Sequence, residues 1–340
     1  MKRQAVTIKD IARELGVSPS TVSRALKDHF EISEETKVAV REVAERLNYQ
    51  PNSLALSLRS SRSHTIGVVV PELVHFFFST VISGIEDVAH RKGYNVIITQ
   101  SNESYDREVS NVQTLFNSRV DGILISISKD TKDFKHIESL REKGLPVVFF
   151  DRKADVEQSS SVTVDDFGGG YQATEHLIKQ GYTRIAHLAG PSNLQIMVDR
   201  YEGYKKAIED AGLPFDQDLV VFDKSMDDLD AYEATLSLLK SQKPDAIFTP
   251  HDLAAMSAIT AVQKLGMNVP QDVGVVGFSN WQFTRFTNPS ITTIEQPGFE
   301  IGQKATEILL KQVESEDDDI TVESQKLKTN LIARESTRKV

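Results

Sequence analysis

Near its start the chain reads Thr7-Ile-Lys-Asp-Ile-Ala-Arg-Glu-Leu-Gly-Val-Ser-Pro-Ser-Thr-Val-Ser-Arg-Ala-Leu26, and this stretch contains the start and stop signals of two short helices. Thr7 can cap the first helix, with Asp10 three residues later in a weak capping-box arrangement. Gly16 ends that helix, because glycine adopts the left-handed conformation at little steric cost. Ser18 then caps a second helix, and Pro19 occupies its first position.

The two predicted helices have different exposed faces. Each has an apolar face at helical spacing, made by Ile8, Ile11, Ala12 and Leu15 in the first and by Val22, Ala25 and Leu26 in the second. The other face of the second helix carries short hydrogen-bonding side chains and one arginine, namely Ser20, Thr21, Ser23 and Arg24. This pattern is typical of a helix-turn-helix unit, whose second helix reads base edges in the major groove. Such units also occur without DNA, so this stretch alone leaves the function open.

Length and composition limit the possible classes of protein. A chain of 340 residues is expected to form two or three units, and 39% hydrophobic with 26% charged residues is typical of soluble proteins. No run approaches the ~20 apolar residues of a membrane span, and the first residues lack the apolar core of a signal peptide. The absence of cysteine excludes disulfides, thiolate metal sites and cysteine nucleophiles. We therefore expect a cytoplasmic protein without a membrane partner.

The charge is distributed unevenly along the chain. The whole chain has a net charge of −10, which by itself argues against nucleic-acid binding. Residues 1–63 contain 11 Lys and Arg against 8 Asp and Glu, a surplus of 3, whereas the rest contains 28 against 41, a deficit of 13. A mildly basic start on an acidic body indicates DNA contact at one end only.

A third helix and a short linker follow. Ser33 caps a helix over residues 33–47, whose buried stripe is predicted to be Val38, Val40, Val43, Ala44 and Leu47. Beyond Pro51-Asn52 only about seven residues can be helical, and so short a helix is marginal alone in water. This segment is therefore either a helix that a partner orders or a plain linker.

From His64 onward short buried strands alternate with helices, which indicates parallel sheets covered on both faces. Strands are predicted at residues 65–71, 93–99, 122–126, 146–150, 161–164, 184–188, 219–222, 246–249, 274–278 and 291–297. Helices are predicted at residues 76–92, 105–118, 133–143, 168–180, 198–211, 229–240, 252–265 and 299–313. The expected fold is therefore a small all-α helix-turn-helix domain followed by a two-lobed α/β body.

The chain resembles the LacI/GalR family of bacterial transcription regulators in several ordered motifs. They are Thr7-Ile-Lys-Asp-Ile-Ala12, Gly16-Val-Ser18, Thr21-Val-Ser-Arg24, Ser33-Glu-Glu-Thr36, Tyr49-Gln-Pro-Asn52 and, near the end, Leu331-Ile-Ala-Arg-Glu-Ser336. The resemblance implies a DNA-binding headpiece at 1–50, a hinge helix and linker at 51–63, and a type I periplasmic-binding-protein-like body at 64–340. It divides the body into a first lobe of about 64–163 and 296–322 and a second of about 164–291 and 323–333. Helix 299–313 then returns to the first lobe, and strand 325–332 closes the second.

The resemblance also implies which residues contact DNA. In the headpiece they are Thr7, Ser18, Pro19, Ser20, Thr21, Ser23 and Arg24. In the hinge they are Asn52, Ala55 and Leu58, of which Leu58 is the apolar wedge in the minor groove. Leu56 stands where many members have a polar or basic residue, which puts one hinge phosphate contact in doubt.

Polar residues follow several predicted strands, at Asn102, Asp151-Arg152, Asp165-Asp166, His251-Asp252 and Ser279-Asn280. Ligands of open α/β sheets bind at the carboxyl ends of strands, so these residues together indicate a polar cleft. Each of them alone is equally typical of a turn or a helix cap.

The resemblance narrows this cleft to a set of predicted effector-binding residues. The set is Phe77, Ser79, Asn102, Asp151, Arg152, Arg200, His251, Ser279, Gln296 and, at the rim, Trp281. Many members have an aspartate where this chain has Ser279. With Arg152, Arg200 and His251 kept, a ligand with a carboxylate or phosphate is also plausible, since guanidinium pairs well with such groups.

Three other functions compete with an effector-controlled regulator. An enzyme could use Asp165-Asp166 beside the turn Gly168-Gly-Gly170, but no GxxxxGK[ST] motif, catalytic triad or metal-ligand spacing stands out. His187 is flanked by apolar residues and is better explained as a core histidine. A sugar carrier on the same fold conflicts with the headpiece, and a catabolite-type regulator would instead bind a phosphoprotein corepressor.

We therefore predict a ligand-responsive transcriptional regulator, most simply a repressor, and not an enzyme. Its partners are double-stranded operator DNA of pseudo-palindromic sequence and a small sugar or sugar derivative, and it has no cofactor or metal. No leucine heptad follows Val340, so the expected assembly is a homodimer.

Overall fold

The computed structural model describes residues 6–49, 62–154, 156, 159–222, 228–315 and 321–339. The chain divides into two compact units, Met1–His64 and Thr65–Val340. Asn52, Ala55 and Leu58 lie outside the described residues, so their contacts with DNA stay predictions.

In the described part of the first unit three helices enclose a small core. They are α1 (Ile8–Leu15), α2 (Pro19–Leu26) and α3 (Glu34–Arg46). The Asp10 carboxylate accepts hydrogen bonds from the backbone N–H and the hydroxyl of Thr7, at 2.9 and 2.7 Å. Gly16 has φ 66°, and the Ser18 hydroxyl accepts from the Thr21 N–H at 3.0 Å. The predicted helix-turn-helix is confirmed, together with the local signals that define it.

The predicted buried stripe of α3 is wrong at one position. Val38 is 50% exposed, whereas the Lys37 side chain is only 7% exposed. Val38 lies two residues before the buried Val40 and so on another side of the helix, while Lys37 lies three before it, on the same side. The Lys37 ammonium is paired with Asp28 at 3.1 Å and with Glu34 at 2.7 Å, which permits its burial.

The first sheet of the body is built from strands that alternate with helices. Its first strands are β1 (Thr65–Val70), β2 (Asn95–Gln100), β3 (Gly122–Ile125), β4 (Val147–Phe150) and β5 (Ser160–Val164). The intervening helices are α4 (Phe76–Arg91), α5 (Tyr105–Asn117) and α6 (Lys135–Glu142). Pairing is parallel between neighbours, and the central strands are buried on both faces.

The second sheet repeats this arrangement. Its strands are β6 (Ile185–Leu188), β7 (Val220–Val221), β8 (Ala246–Phe248), β9 (Gly274–Ser279) and β10 (Thr292–Glu295). Its helices are α7 (Asp166–Lys179), α8 (Gln195–Asp210), α9 (Asp228–Ser241) and α10 (Asp252–Lys264). Helix α11 (Gly298–Glu314) follows β10 and contributes Ile301, Ala305 and Leu309 to the core of the first lobe. The predicted two-lobed α/β body with parallel sheets is confirmed.

The end of the chain corrects one prediction. Residues 325–332 were expected to form one strand of the second lobe, but the structure has two strands, β11 (Ser324–Leu327) and β12 (Asn330–Ile332). β11 pairs parallel with β5 in the first sheet, and β12 pairs antiparallel with β10 in the second. The chain therefore crosses between the sheets at residues 328–329. Both strands are short and largely exposed, so their sequence does not indicate which of the two sheets each strand joins.

Close contact between α7 and α8 explains the glycines that follow Asp166. A Cβ atom at Gly170 would lie 2.2 Å from the Arg200 carbonyl oxygen, and one at Gly203 would lie 2.1 Å from the Phe167 carbonyl oxygen. The glycines at these positions let the two helix backbones approach. Gly170 thus serves helix packing, and a phosphate-binding turn is not needed to explain it.

Gly203→Ala is expected to destabilise the body, because the added methyl group would push α8 away from α7. Overpacking of this kind costs about 1–3 kcal/mol, which a lower midpoint of urea unfolding would report. Glu202→Ala changes the neighbouring, exposed position of the same helix and should leave the midpoint nearly unchanged. Equal midpoints for Gly203→Ala and the unmodified protein would contradict the packing role.

Candidate functional site

A cavity of about 320 Å³ lies between the two lobes of the body, at the carboxyl ends of the parallel strands. The strand ends β4, β8, β9 and β10 each supply residues to its wall, as the topology of open α/β sheets requires. Its lining includes eight of the predicted effector residues, namely Phe77, Asp151, Arg152, Arg200, His251, Ser279, Trp281 and Gln296.

Two predicted effector residues are not brought to this cavity. Ser79 is exposed on α4, and its hydroxyl donates to the Phe76 carbonyl at 2.7 Å. Asn102 is exposed in a turn at φ 52°, where its side-chain oxygen accepts from the Gln100 amide. The next residue in the same turn, Glu103, lines the cavity instead.

Sequence reasoning missed several lining residues. Glu72 and His75 follow β1, and Glu103 follows β2. The expectation that polar residues just after a strand line the cleft would have identified all three, had it been applied to these two strands. Met197 and Ile196 come from the first turns of α8, where an apolar helix start gives no functional signal.

Arg152 is held by carboxylates. Its Nη1 donates to both carboxylate oxygens of Glu103, at 2.9 and 3.0 Å, and its Nε lies 3.9 Å from an Asp151 oxygen. The side chains of all three residues are largely buried, so their charges interact strongly and are poorly screened by solvent. The positive charge of Arg152 is therefore balanced within the wall of the cavity.

The positive charge of Arg200 is also balanced by a carboxylate. Its Nε donates to one carboxylate oxygen of Asp166 at 2.8 Å, its Nη2 lies 2.7 Å from the same oxygen, and its Nη1 donates to the Pro250 carbonyl at 2.7 Å. The guanidinium also lies over the Phe278 ring, 3.7 Å from its centre. Burial raises the pKa of Asp166, and the Arg200 guanidinium opposes that rise.

Three nitrogen donors in the lining are buried and lack a hydrogen-bond partner within the described residues. They are Arg152 Nε, Trp281 Nε1 and Gln296 Nε2. Asp151 adds an acceptor, since the one hydrogen bond that its carboxylate receives from a described residue is long, at 3.4 Å from Ser126, and burial raises its pKa. A polar ligand with several groups that both donate and accept would satisfy these atoms.

Aromatic rings form another part of the wall. The rings of Trp281 and His251 are nearly parallel, with centres 6.4 Å apart, and His75 meets Trp281 edge-on at 5.3 Å. Phe77 from α4 completes this apolar surface. Since β1 leads to His75 and β9 leads to Trp281, the ring contact joins the two lobes.

Asp252 fixes the position of Trp281. The backbone N–H of Trp281 donates to the Asp252 carboxylate at 2.7 Å, and the Thr293 hydroxyl donates to the other carboxylate oxygen. Asp252 is completely buried at the start of α10, and this burial raises its pKa to about 7.

His187 is the core residue that its flanking residues predicted. It is 1% exposed, its Nδ1 lies 3.1 Å from the Phe248 carbonyl oxygen, and its ring stacks on Phe248 and Tyr204. Burial lowers its pKa to about 3. Within the described residues no group of three or more His, Asp or Glu side chains is placed to hold a metal ion. Nor does that part of the chain contain a helix of the length and hydropathy that a membrane crossing requires.

Most of the predicted DNA-contacting residues of the headpiece lie on or next to α2: Ser18 to Thr21 at its start, and Ser23 and Arg24 further along, with Arg24 in the last turn. Ser18, Pro19, Ser20 and Arg24 are exposed, whereas Thr21 and Ser23 are half-buried. Thr7 is exposed at the start of α1. The Ser18 hydroxyl lies 2.6 Å from that of Ser20 and 2.8 Å from that of Thr21, so these side chains form one polar cluster.

Comparison with known proteins covers both units. Residues 63–334 match the family described as periplasmic binding proteins and sugar binding domain of the LacI family, and residues 7–52 match bacterial regulatory proteins of the lacI family. The HTH-type transcriptional repressor PurR of Vibrio atlanticus (strain LGP32) is 32% identical over 311 residues, which cover 92% of this chain and 93% of that protein. Catabolite control protein A of Priestia megaterium is 34% identical over 320 residues, with 93% and 95% covered.

A solved structure shows the same similarity in three dimensions. The crystal structure of the lac repressor dimer bound to operator and the anti-inducer ONPF superposes with a TM-score of 0.86 at 25% identity. The similarity covers 98% of this chain and 99% of that one.

Asp252→Asn is expected to reduce the pH dependence of stability. The pKa of Asp252 is raised on folding, so its contribution to stability is complete below about pH 4 and is lost as the pH rises through about 7. Between pH 5 and 7 the free energy of unfolding of the unmodified protein should fall by about 2 kcal/mol more than that of the variant, as measured by urea unfolding at each pH.

Asp130→Asn is the control for this comparison, because it removes one carboxylate at an exposed position. Asp130→Asn should leave the difference in unfolding free energy between pH 5 and pH 7 the same as in the unmodified protein. An identical pH dependence for Asp252→Asn and Asp130→Asn would show that Asp252 is ionised throughout this range.

Proposed function

The chain belongs to the LacI family of bacterial regulatory proteins, and on this premise we propose that it represses transcription under the control of a small ligand. It binds a pseudo-palindromic operator as a homodimer, and the ligand occupies the cavity between the lobes of its body. The observation that carries this proposal is the combination, in one chain, of an exposed polar recognition helix and a polar, buried cavity. The expectation of a regulator rather than an enzyme agrees with the repressors among its relatives.

The headpiece supports the DNA-binding half of the proposal. The start of α2 presents exposed hydroxyl groups and its last turn presents the exposed Arg24 guanidinium, and both are suitable donors for base edges. Two headpieces of a dimer would contact half-sites about one helical turn apart, which explains the two-fold symmetry expected of the operator. A protein with this function acts in the cytoplasm, where the chromosome is.

The proposed effector is an uncharged molecule of sugar size. A hydroxyl group can both donate and accept, so a sugar would satisfy the three unpartnered donors and the Asp151 carboxylate together. The apolar face of a sugar ring would lie against Trp281 and Phe77. The volume of about 320 Å³ is at the small end of ligand sites, which suits one or two sugar rings.

The pairing of the arginines argues against an anionic effector. A carboxylate or phosphate ligand was plausible from the sequence because Arg152 and Arg200 line the cavity. Glu103 and Asp166 already neutralise both guanidinium groups, and Asp151 adds a further negative charge. An anion would therefore lose its hydration without gaining an unpaired guanidinium group.

A homodimer is supported by the edge of the first sheet. β2 is the last strand of that sheet, and its Ile97 and Ile98 side chains are each 39% exposed. An apolar edge strand tends to be covered in the native assembly, because its free backbone groups invite pairing. The similar lac repressor structure is a dimer bound to operator, which supports the same assembly.

The route from ligand to DNA begins at the connections between lobes. Gln296, which lines the cavity, lies in the short connection from β10 in the second sheet to α11 in the first lobe. A ligand that binds Gln296 and both walls would favour one relative position of the lobes. Coupling energies between such sites are typically about 1–3 kcal/mol, and the sign distinguishes an inducer from a corepressor.

Neutral sugars are expected to bind, whereas sugar acids and sugar phosphates are not. A panel of the three classes can be titrated by calorimetry and by the fluorescence of Trp281, which is the only tryptophan. Asp151→Asn should weaken sugar binding by about 1.5–3 kcal/mol, since a hydrogen bond to a charged group is lost.

Ser79→Ala is the matched control, because Ser79 was predicted in the site but lies outside the cavity. It should leave the affinity unchanged. Preferential binding of the acids or phosphates would contradict the uncharged effector. Binding of no compound would instead favour a protein corepressor, as in catabolite-type regulation.

Arg24→Ala is expected to relax base preference at one position of the operator. The full-length protein would first be used to enrich duplexes from a randomised pool, which should yield a two-fold-symmetric sequence. If Arg24 binds a guanine, its loss should cost about 1–3 kcal/mol on that sequence and little on duplexes with another base there. Uniform weakening on all duplexes would identify a phosphate contact instead.

A further inference from the structure

An acidic side chain is bound to the arginine of the recognition helix. Arg24 Nη1 donates to Glu31 Oε2 at 2.8 Å, and about half of each side chain is exposed. DNA phosphates repel a carboxylate, so an exposed glutamate beside a base-reading arginine weakens binding to any duplex. Its presence there calls for a compensating role.

The loop that carries Glu31 is fixed to α3. The Asp28 carboxylate accepts from the buried Lys37 ammonium at 3.1 Å and from Arg41 Nη2 at 3.0 Å. Within the loop, the Glu31 N–H donates to His29 Nδ1 at 3.3 Å. Glu31 is therefore tied to the rest of the headpiece, and its carboxylate can hold a flexible partner in place.

The hydrogen bond to Glu31 occupies one side of the Arg24 guanidinium only. A guanidinium has five N–H donors in a planar fork. Glu31 binds Nη1, and no acceptor among the described residues of the headpiece binds Nε or Nη2. The Nε–Nη2 edge presents two parallel donors, which is the arrangement that the O6 and N7 acceptors of guanine require.

We propose that Glu31 is a specificity-determining residue that positions Arg24 for guanine. The inference rests on the proposed function, since it assumes that the headpiece binds DNA. Glu31 acts in two ways. It restricts a side chain that would otherwise lose much rotamer freedom on binding, and it repels the phosphates of all duplexes alike.

These two effects together increase discrimination. At the correct site the oriented fork gains two hydrogen bonds to guanine, which outweigh the repulsion. At other sites the repulsion acts without that gain. Specificity is a difference between two affinities, so a group that weakens binding to wrong sequences raises it.

The test compares Glu31→Gln with the unmodified full-length protein on three duplexes. The first is the duplex enriched from a randomised pool, the second has the guanine pair assigned to Arg24 replaced, and the third is a scrambled sequence. The variant should bind the scrambled duplex about two- to fivefold more tightly, and its preference for guanine should fall about two- to fivefold, the range of an exposed ion pair.

Glu42→Gln is the matched control, because it removes the same charge at an exposed position of α3. It should change neither the base preference nor the ratio between enriched and scrambled duplexes. In an Arg24→Ala background, Glu31→Gln should no longer alter base preference, since the side chain it positions is absent. A thermal midpoint close to that of the unmodified protein would show that the variant is folded, as expected for an exposed pair.

The outcomes separate this inference from the function on which it rests. An unmodified protein that enriches no symmetric duplex contradicts the proposed function, and the role of Glu31 falls with it. An operator that is enriched and then bound by Glu31→Gln and Glu42→Gln with the same base preference contradicts the role of Glu31 alone. A change in base preference that persists without Arg24 shows that Glu31 contacts DNA itself and also overturns the inference.

Discussion

The buried charge of Arg200 constrains how the segments of the second lobe pack beside the cavity. A guanidinium this deep in the protein is tolerated only when its donors are paired, and here they are paired with Asp166 and with the Pro250 carbonyl. These partners lie at the start of α7 and just after β8, while Arg200 itself lies on α8. One side chain therefore holds three segments together beside the cavity. Gly170 and Gly203 contribute to this arrangement, because they let α7 and α8 approach closely enough for the ion pair between Arg200 and Asp166 to form.

The consequence for function is a cavity that is polar but nearly balanced in charge. Each arginine is paired with a carboxylate, and the cavity offers a ligand directed donors, the Asp151 carboxylate as an acceptor and an aromatic surface. Binding by hydrogen bonds depends little on salt, whereas DNA binding by a basic headpiece depends on it strongly. The chain thus separates the two kinds of recognition, and its acidic body, with 41 Asp and Glu against 28 Lys and Arg, adds repulsion that confines DNA to the first unit.

The sequence predicted the fold well because the signals that define it are local. Gly16, Ser18 and Ser33 mark helix ends directly, and short apolar strands between helices have few alternative arrangements. The errors occur where the outcome depends on distant residues. β11 is too short and too exposed to indicate which sheet it joins, and the burial of Lys37 depends on Asp28, which lies in another segment. For the site, the polar residues after the strands correctly indicated where the cavity lies. Whether Asn102 or Glu103 faces it depends on the backbone conformation of the turn after β2, which the residue types alone do not determine.

Glu103 and Glu31 show the same physical device in the two units. In each case a carboxylate binds one side of an arginine and leaves another part of the guanidinium for recognition. For Arg152 the remaining donor is Nε, which is buried in the cavity wall, and for Arg24 it is the Nε–Nη2 edge, which is exposed on α2. An unpaired arginine would attract any anion or phosphate, whereas a paired one keeps only its directional donors. Pairing therefore weakens the general electrostatic attraction of an arginine and keeps its directional hydrogen bonding. In the roles proposed for Arg152 and Arg24, this favours selectivity for one ligand and for one operator.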